Sequence, residues 1–194
     1  MSSKNTQLKK IVKNYYDDYD ATCRISREER LKELRAGDPI PPEGRLYGKY
    51  KEQFQNRAYD YRNQAMKIID DELNTINNEL AKAPSTEAVN SISLLALRNH
   101  STKKDFDNLL NVYGDNYQAF TTLKDLAIQK DIIPDLAFTE HPTVIRKEMV
   151  EIARNSLFNS LWENKTSDPD HNTEGYKELL NITIDNAFEP DPEF

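Results

Sequence analysis

Apolar side chains recur at spacings of three and four along residues 45–83. This spacing predicts a helix with one apolar stripe, roughly 55 Å long at about 1.5 Å per residue. A helix of that length must bury most of its stripe against other helices or a second chain, because propensity alone does not hold it together. The stripe contains Leu46, Tyr50, Phe54, Ala58, Tyr61, Ala65, Ile68, Ile69, Leu73, Ile76 and Leu80.

The residues before this helix predict two short helices and a linker. Apolar positions at helical spacing cover residues 4–22, and Ser26 followed by Glu29 matches a capping box that would begin a second helix over 27–35. We therefore expect amino-terminal helices within residues 1–36. Three prolines between 37 and 44 disallow a continuous helix and predict a stiff linker.

The chain after the long helix predicts a multi-helix bundle over residues 84–188, followed by an acidic tail at 189–194 that prolines keep from being helical. The helix after Pro84 is apolar around its circumference and is predicted to be buried. The predicted core of the bundle comprises Leu94, Leu95, Leu97, Phe106, Leu110, Phe120, Leu123 and Leu126.

The fold class predicted from these periods is all-α: a long amphipathic helix with short amino-terminal helices, followed by a small multi-helix bundle. The alternating period of a half-buried strand is missing, and the chain contains only 5 glycines. Its longest apolar runs fall short of the roughly 20 residues that cross a bilayer, so we expect a soluble, intracellular protein with no membrane contact.

Charge is distributed unevenly along the chain. Up to Ala36 there are nine Lys or Arg against six Asp or Glu, and from Ala83 onward ten against nineteen. The acidic half argues against broad phosphate contact, so a nucleic-acid partner is not expected. Arg and Tyr are interleaved on the first half of the long helix; this mixture could stack on bases, but is also typical of a protein interface, which we favour.

The residue types that are common in catalytic sites do not form a recognisable motif in the sequence. His100, His141 and His171 lie far apart in sequence, and helix boundaries make capping or exposure the ordinary role of the first two. Cys23 is the only cysteine, which rules out an intramolecular disulfide and a thiolate-rich metal site. Glycine-rich phosphate loops and nucleophile elbows are missing. The sequence predicts a protein that is not an enzyme, with no catalytic, cofactor-binding or metal-binding residues.

Four segments of the bundle carry a resemblance: Ser91–Arg98, Lys104–Leu110, Tyr113–Phe120 and Leu123–Ala127. Together with the helix before them, over roughly residues 45–130, they resemble poorly characterised helical proteins encoded by phages and prophages of Gram-positive bacteria. In those proteins a long amino-terminal helix precedes a small helical bundle. The resemblance implies a phage origin and a place among head-assembly proteins.

The function expected on this basis is that of a non-enzymatic phage structural or head-assembly protein: a scaffold, inner-capsid or other virion-associated component. It would self-associate and bind other phage proteins such as the capsid or portal protein, in the host cytoplasm during assembly. The sequence leaves open whether the protein is retained in the mature virion. Burial of the long-helix stripe would supply the contact. The predicted interface residues are Tyr50, Phe54, Tyr61, Ile68, Leu73 and Ile76.

Two alternatives remain open. The stripe could instead pack on the first helix through Val12, Tyr15 and Tyr19, although we favour a partner chain because the proline linker makes that packing optional. The protein could also be a phage-encoded inhibitor that blocks a host defence or nucleic-acid enzyme, with the carboxylates of its acidic half standing where phosphates would sit.

Overall fold

The computed structural model describes residues 3–35, 48–132, 140–161 and 173–189. These residues form seven α-helices and contain no strand, which confirms the predicted all-α class. The predicted linker at 37–44, the start of the long helix at 45–47 and the tail from 190 lie outside this description. The helices are α1 Lys4–Arg35, α2 Gly48–Ala81, α3 Thr86–Leu97, α4 Lys103–Tyr113, α5 Tyr117–Gln129, α6 Pro142–Ser160 and α7 Thr173–Phe188.

The chain divides into two compact units. The first comprises residues 1–71 and 149–194, and the second comprises residues 72–148. Helices α2 and α6 therefore contribute to both units. The sequence predicted a boundary between the long helix and everything after it, whereas the contacts group α7 and most of α6 with α1 and the first part of α2.

The amino-terminal segment is one helix instead of two. The side chains of Tyr15, Tyr19, Thr22 and Ser26 follow each other at spacings of four, three and four, and all four are buried. The buried stripe thus continues through two small polar residues, and Thr22 Oγ1 donates a hydrogen bond to the Asp18 carbonyl one turn before it. Ser26 lies inside a helix, so the predicted capping box was wrong.

The core of the first unit brings α1, α2, α6 and α7 together. α1 and α7 pack side by side, and Lys9 Nζ lies 2.5 Å from Asp185 Oδ1 across them. Arg154 Nε on α6 donates to Asp70 Oδ1 on α2 over 3.0 Å. The buried apolar side chains of this unit are Leu8, Ile11, Val12, Tyr15, Tyr16, Tyr19, Phe54, Ala58, Ala65, Ile69, Val150, Ala153, Leu157, Leu161, Leu180, Ile184 and Ala187.

The second unit is built around α3, α4 and α5, which all contact one another. Local sequence fixes their ends, because Ser85 and Asn116 accept hydrogen bonds from first-turn amides and Thr102 forms a capping box with Asp105. Lys130 Nζ donates to the Arg98 carbonyl at the end of α3. The central cluster contains Ile92, Leu95, Phe106, Leu110, Ala119, Phe120, Leu123 and Ala127.

The predicted core of this unit is partly confirmed. Leu95, Phe106, Leu110, Phe120 and Leu123 are buried, and Leu126 packs against the cluster. The prediction was wrong for the two other leucines of α3, which are 63 % (Leu94) and 81 % (Leu97) exposed.

Candidate protein–protein interface

The predicted interface on α2 is largely occupied by the chain itself. Phe54 and Ile76 have no exposed surface, so neither can meet a partner without unfolding, and the prediction was wrong for both. Tyr50, Tyr61, Ile68 and Leu73 are each half-buried.

Phe54 lies in an aromatic cluster formed with α1. Its ring centroid is 5.4 Å from that of Tyr15 and 5.2 Å from that of Tyr19, with tilted rings in both pairs. Tyr61, two turns further along α2, meets Tyr15 edge to face at 6.1 Å. These distances are typical of favourable aromatic pairs. The alternative in which the stripe packs on the first helix is therefore confirmed for this part of α2.

Polar contacts beside the aromatic cluster also join α2 to α1 of the same chain. Lys49 Nζ donates to the Glu29 carboxylate over 3.0 Å. A hydrogen bond to Glu29, together with partial desolvation and the Glu29 charge, raises the pKa of Tyr50. Tyr50 therefore links α2 to α1. Its hydroxyl is directed to a residue of its own chain.

An exposed cation–aromatic stack lies on α2 and α6 in the first unit. The guanidinium carbon of Arg62 is 5.2 Å from the ring centre of Tyr59 and 4.8 Å from that of Phe158. Both rings are about half exposed. Such stacks hold a long side chain in place and occur often at protein contacts.

The most exposed apolar side chains of the second unit include those on the side of α3 opposite its core contacts. Ala88, Ile92 and Leu95 face the core, while the opposite side is exposed along its whole length. We name that side the α3 outer face, and define it by Val89, Asn90, Ser93, Leu94 and Leu97.

The first unit also exposes apolar side chains, and some of these lie beside carboxylates. Leu179 and Ile182 on α7 are 59 % and 50 % exposed, and Glu178 precedes Ile182 by one turn. Ile152 on α6 is 53 % exposed and follows Glu148 by one turn. Residues four apart on a helix are neighbours on its surface, so these apolar positions have acidic borders.

His141 has a structural position at the start of α6. Its side chain is buried, and its Nδ1 accepts a hydrogen bond from the Thr143 amide over 3.2 Å. Nε2 lies 3.0 Å from the Gly114 carbonyl, and the rings of Tyr117 and Phe120 approach edge to face. Both ring nitrogens are thus engaged by backbone groups, which confirms capping as the role of this histidine.

Other chemical features of the described residues are sparse. Within residues 3–35, 48–132, 140–161 and 173–189 there is no group of three or more His, Cys, Asp or Glu that could hold a metal ion. Cys23 is a free, half-buried thiol. A shallow depression on α7 is lined by residues of that single helix, which are Glu174, Gly175, Lys177, Glu178 and Asn181.

The comparisons with known proteins return no relative. No family model, no curated protein and no solved structure matches the chain. None of the helices in the described parts of the chain is both long and apolar enough to cross a membrane.

Proposed function

We propose that this protein is a non-enzymatic assembly protein of a phage, which self-associates and binds other phage proteins such as the capsid or portal protein in the host cytoplasm. The observation that carries the proposal is the exposure of large apolar side chains on helices whose other sides are already packed. Leu97 at 81 % exposure is the extreme case. The phage setting rests on the resemblance of residues 45–130 to helical phage proteins.

The physical argument is the free energy of removing apolar surface from water. Each square ångström of apolar surface that a partner covers contributes about 25 cal/mol. Single exposed apolar residues are ordinary on a soluble protein, whereas several on one helix face mark a contact surface. Leu94 and Leu97 lie on one such face of α3, and Leu179 and Ile182 on one of α7.

The mechanism differs from the one predicted from the sequence. Phe54 and Ile76 of the α2 stripe are buried inside the chain. Partner contacts therefore belong on helix faces that remain exposed in the folded chain. The apolar positions on α6 and α7 have acidic borders and suit a partner with basic residues. The α3 outer face suits an uncharged partner surface.

The inhibitor alternative receives less support from the first unit. A phosphate-mimicking surface on the acidic half needs carboxylates that a partner's cations can reach. The Asp185 carboxylate is held by Lys9 and by the Asn5 amide. Lys9 thus offsets the charge of one carboxylate of the acidic half.

Co-expression tests the proposal directly. The full chain carrying an affinity tag is expressed with the capsid protein and, separately, with the portal protein of the phage genome that encodes it. We expect at least one to copurify, and the Leu179→Glu and Ile182→Glu double variant to capture less of it. A chain that captures neither protein and stays monomeric at all concentrations would contradict the proposal.

A further inference from the structure

Helix α1 exposes a stripe of basic and apolar side chains near its carboxyl end. Arg24, Arg27, Leu31 and Leu34 follow one another at spacings of three, four and three, so they lie on one side of the helix, and all four are exposed. In the part of the chain that the structure describes, neither guanidinium has an ion-pair partner. We name these four residues the α1 end face.

The α1 end face continues the side of α1 on which α7 packs. Lys177 Nζ of α7 lies 3.8 Å from Asp17 Oδ1, and Thr173 Oγ1 donates to Asp20 Oδ2 over 3.4 Å. Asp17 and Asp20 precede Arg24 by seven and four residues, which places all three on one stripe. Thr173 is the first residue of α7, so the α1 end face lies beyond the part of α1 that α7 contacts. There the stripe changes from carboxylates to guanidinium groups, and a helix that covers it needs acidic residues.

Helix α7 exposes an acidic and apolar stripe with matching spacing. Leu179, Ile182, Asn186 and Glu189 follow one another at spacings of three, four and three, and all four are exposed. Glu178, also exposed, lies one turn before Ile182. We name these five residues the α7 outer face. Among the described residues, neither of its two carboxylates takes part in an ion pair.

From these two faces we infer that copies of the chain associate head to tail, with the α1 end face of one copy packed against the α7 outer face of the next. The equal spacings match position by position when the two helices run antiparallel. Leu31 of one copy then lies against Ile182 of the next. Arg24 lies against Glu189, where a guanidinium and a carboxylate form a charge-assisted pair. The inference rests on the proposed function, whose self-association surface it names.

The distribution of charge favours a second copy as the occupant in this arrangement. Residues 1–71 contain 15 Lys or Arg against 12 Asp or Glu, whereas residues 149–194 contain 3 against 10. A two-fold contact would place each face on its own charge, and the net charge of −7 would oppose it. A head-to-tail contact instead brings a basic face to an acidic one. Glu28 and Lys32 border the α1 end face and have opposite charges, so that face stays positive.

The contact repeats from copy to copy, because each chain carries both faces. Contacts between two different faces close into rings or extend as open chains. Stable interfaces use about 20–30 residues on each side, and these faces have four and five. We therefore expect weak, reversible association with a dissociation constant on the order of 100 μM. Such association suits a protein that assembles in many copies.

Sedimentation equilibrium on the full chain, from about 5 μM to 1 mM, tests the inference with two charge-reversed variants. The α1-reversed variant carries Arg24→Glu and Arg27→Glu, and the α7-reversed variant carries Glu178→Lys and Glu189→Lys. The wild-type chain should reach masses above that of a dimer. Each variant alone should associate at least about tenfold more weakly, because like charges meet at the contact. An equimolar mixture of the two should recover the wild-type association, because each face then meets one of opposite charge.

Net charge alone predicts a different result. The α1-reversed variant changes the net charge from −7 to −11, and the α7-reversed variant changes it from −7 to −3. If overall repulsion governed association, the α7-reversed variant would associate more strongly than the wild type. The matched control carries Lys51→Glu and Lys67→Glu at exposed positions of α2, and also has a net charge of −11. It should associate like the wild type at about 0.15 M salt, where the Debye length is about 8 Å. Circular dichroism checks that all variants keep the helical fold.

Cross-linking separates a head-to-tail contact from a two-fold one. In a Cys23→Ser background, chains with Leu31→Cys and chains with Ile182→Cys should form a covalent dimer with a short bismaleimide when they are mixed. Leu31→Cys chains alone should not, because a head-to-tail contact keeps the two copies of this residue apart. Asn63→Cys, exposed on α2, replaces Ile182→Cys in the control and should give no product. A product from Leu31→Cys chains alone would overturn the head-to-tail arrangement.

The outcomes separate this inference from the proposed function. Wild-type association that neither reversed variant weakens overturns the head-to-tail contact, and leaves an assembly role through another face. Reversed variants that stay monomeric when mixed overturn it as well, as does a wild-type chain that is monomeric at about 1 mM. The α1-reversed variant keeps the α7 outer face, so its capture of the capsid or portal protein reports on the proposed function alone.

Discussion

Arg57 on α2 and Asp18 on α1 form an ion pair, with 2.7 Å between Nε and Oδ2. The Arg57 Nη2 group donates a second hydrogen bond, of 2.9 Å, to Thr22 Oγ1 one turn further along α1. This pair lies beside the aromatic cluster of Tyr15, Tyr19 and Phe54, so one turn of α2 contributes both apolar and charged contacts to α1. The relative position of the two helices is fixed by contacts that are far apart in sequence.

The Arg57–Asp18 pair should contribute measurably to stability. A double-mutant cycle with Arg57→Gln and Asp18→Asn, followed by urea denaturation, is expected to give a coupling energy of about 1 kcal/mol, because the pair is charge-assisted but partly exposed. The same cycle on Lys13 and Asp17, an exposed pair one turn apart on α1, is the control and should give less. Equal coupling in both cycles would contradict the prediction.

The aromatic cluster predicts a large effect at Phe54. Phe54→Ala removes a fully buried ring from between Tyr15 and Tyr19, so the free energy of unfolding should fall by about 3 to 5 kcal/mol. Tyr59→Ala, at a half-exposed position five residues further along α2, should change it far less. If Phe54 instead served a partner, the variant would lose assembly and keep its denaturation midpoint.

Helix positions could be predicted from the sequence because the apolar period of each helix is local. Whether a helix buries its apolar stripe inside the chain or leaves it exposed depends on contacts with residues far away in sequence. The local spacing of apolar residues does not reveal those contacts. The α2 stripe is one example: Phe54 is equally suited to a partner chain or to α1, and only the folded chain shows Tyr15 and Tyr19 against it.

The α3 helix and Ser26 show two further limits of periodicity. Apolar residues of α3 occur on all sides of the helix. Their spacing therefore could not show that Ile92 and Leu95 face the core while Leu94 and Leu97 face solvent. Ser26 matched a capping pattern, yet the buried stripe of α1 continues through it, because tertiary packing outweighs a local start signal. The exposed α3 outer face is hence a feature that sequence alone misassigned.

Leu123 tests the core of the second unit. It is fully buried in the cluster of α3, α4 and α5, so Leu123→Ala should lower the free energy of unfolding on the order of 2 to 5 kcal/mol. Leu97→Ala serves as the matched control, because its side chain is 81 % exposed, and it should cost less than about 0.5 kcal/mol. A cost below that value for Leu123 would place it on the surface.

Tyr16 predicts a loss of stability in alkali. Burial, with a smaller contribution from Tyr176, raises the pKa of Tyr16 to about 12, from about 10 for an exposed tyrosine. The unfolded chain therefore releases this proton first, and stability should fall as pH rises from about 10 toward 12. Tyr16→Phe should reduce that fall in urea denaturation at successive pH values, whereas Tyr59→Phe should not. A wild-type curve that is flat across this window would contradict the assignment.

The final prediction concerns the buried His141. Because Nδ1 accepts from the Thr143 amide, the ring proton is on Nε2 and is donated to the Gly114 carbonyl. His141→Ala removes the cap of α6 and leaves that carbonyl without its donor, so unfolding should become easier by about 2 to 3 kcal/mol. His141→Asn retains a capping oxygen but is too short to reach Gly114, and its cost should be intermediate.

The control for this series is His100→Ala, because His100 is exposed, and its substitution should cost less than about 0.5 kcal/mol. The order Ala, then Asn, then wild type at position 141 separates the two hydrogen bonds. If the Asn variant is as unstable as the Ala variant, the hydrogen bond to the Gly114 carbonyl accounts for the stabilisation that His141 provides. If Ala at 141 costs no more than Ala at 100, the histidine holds neither helix end in place.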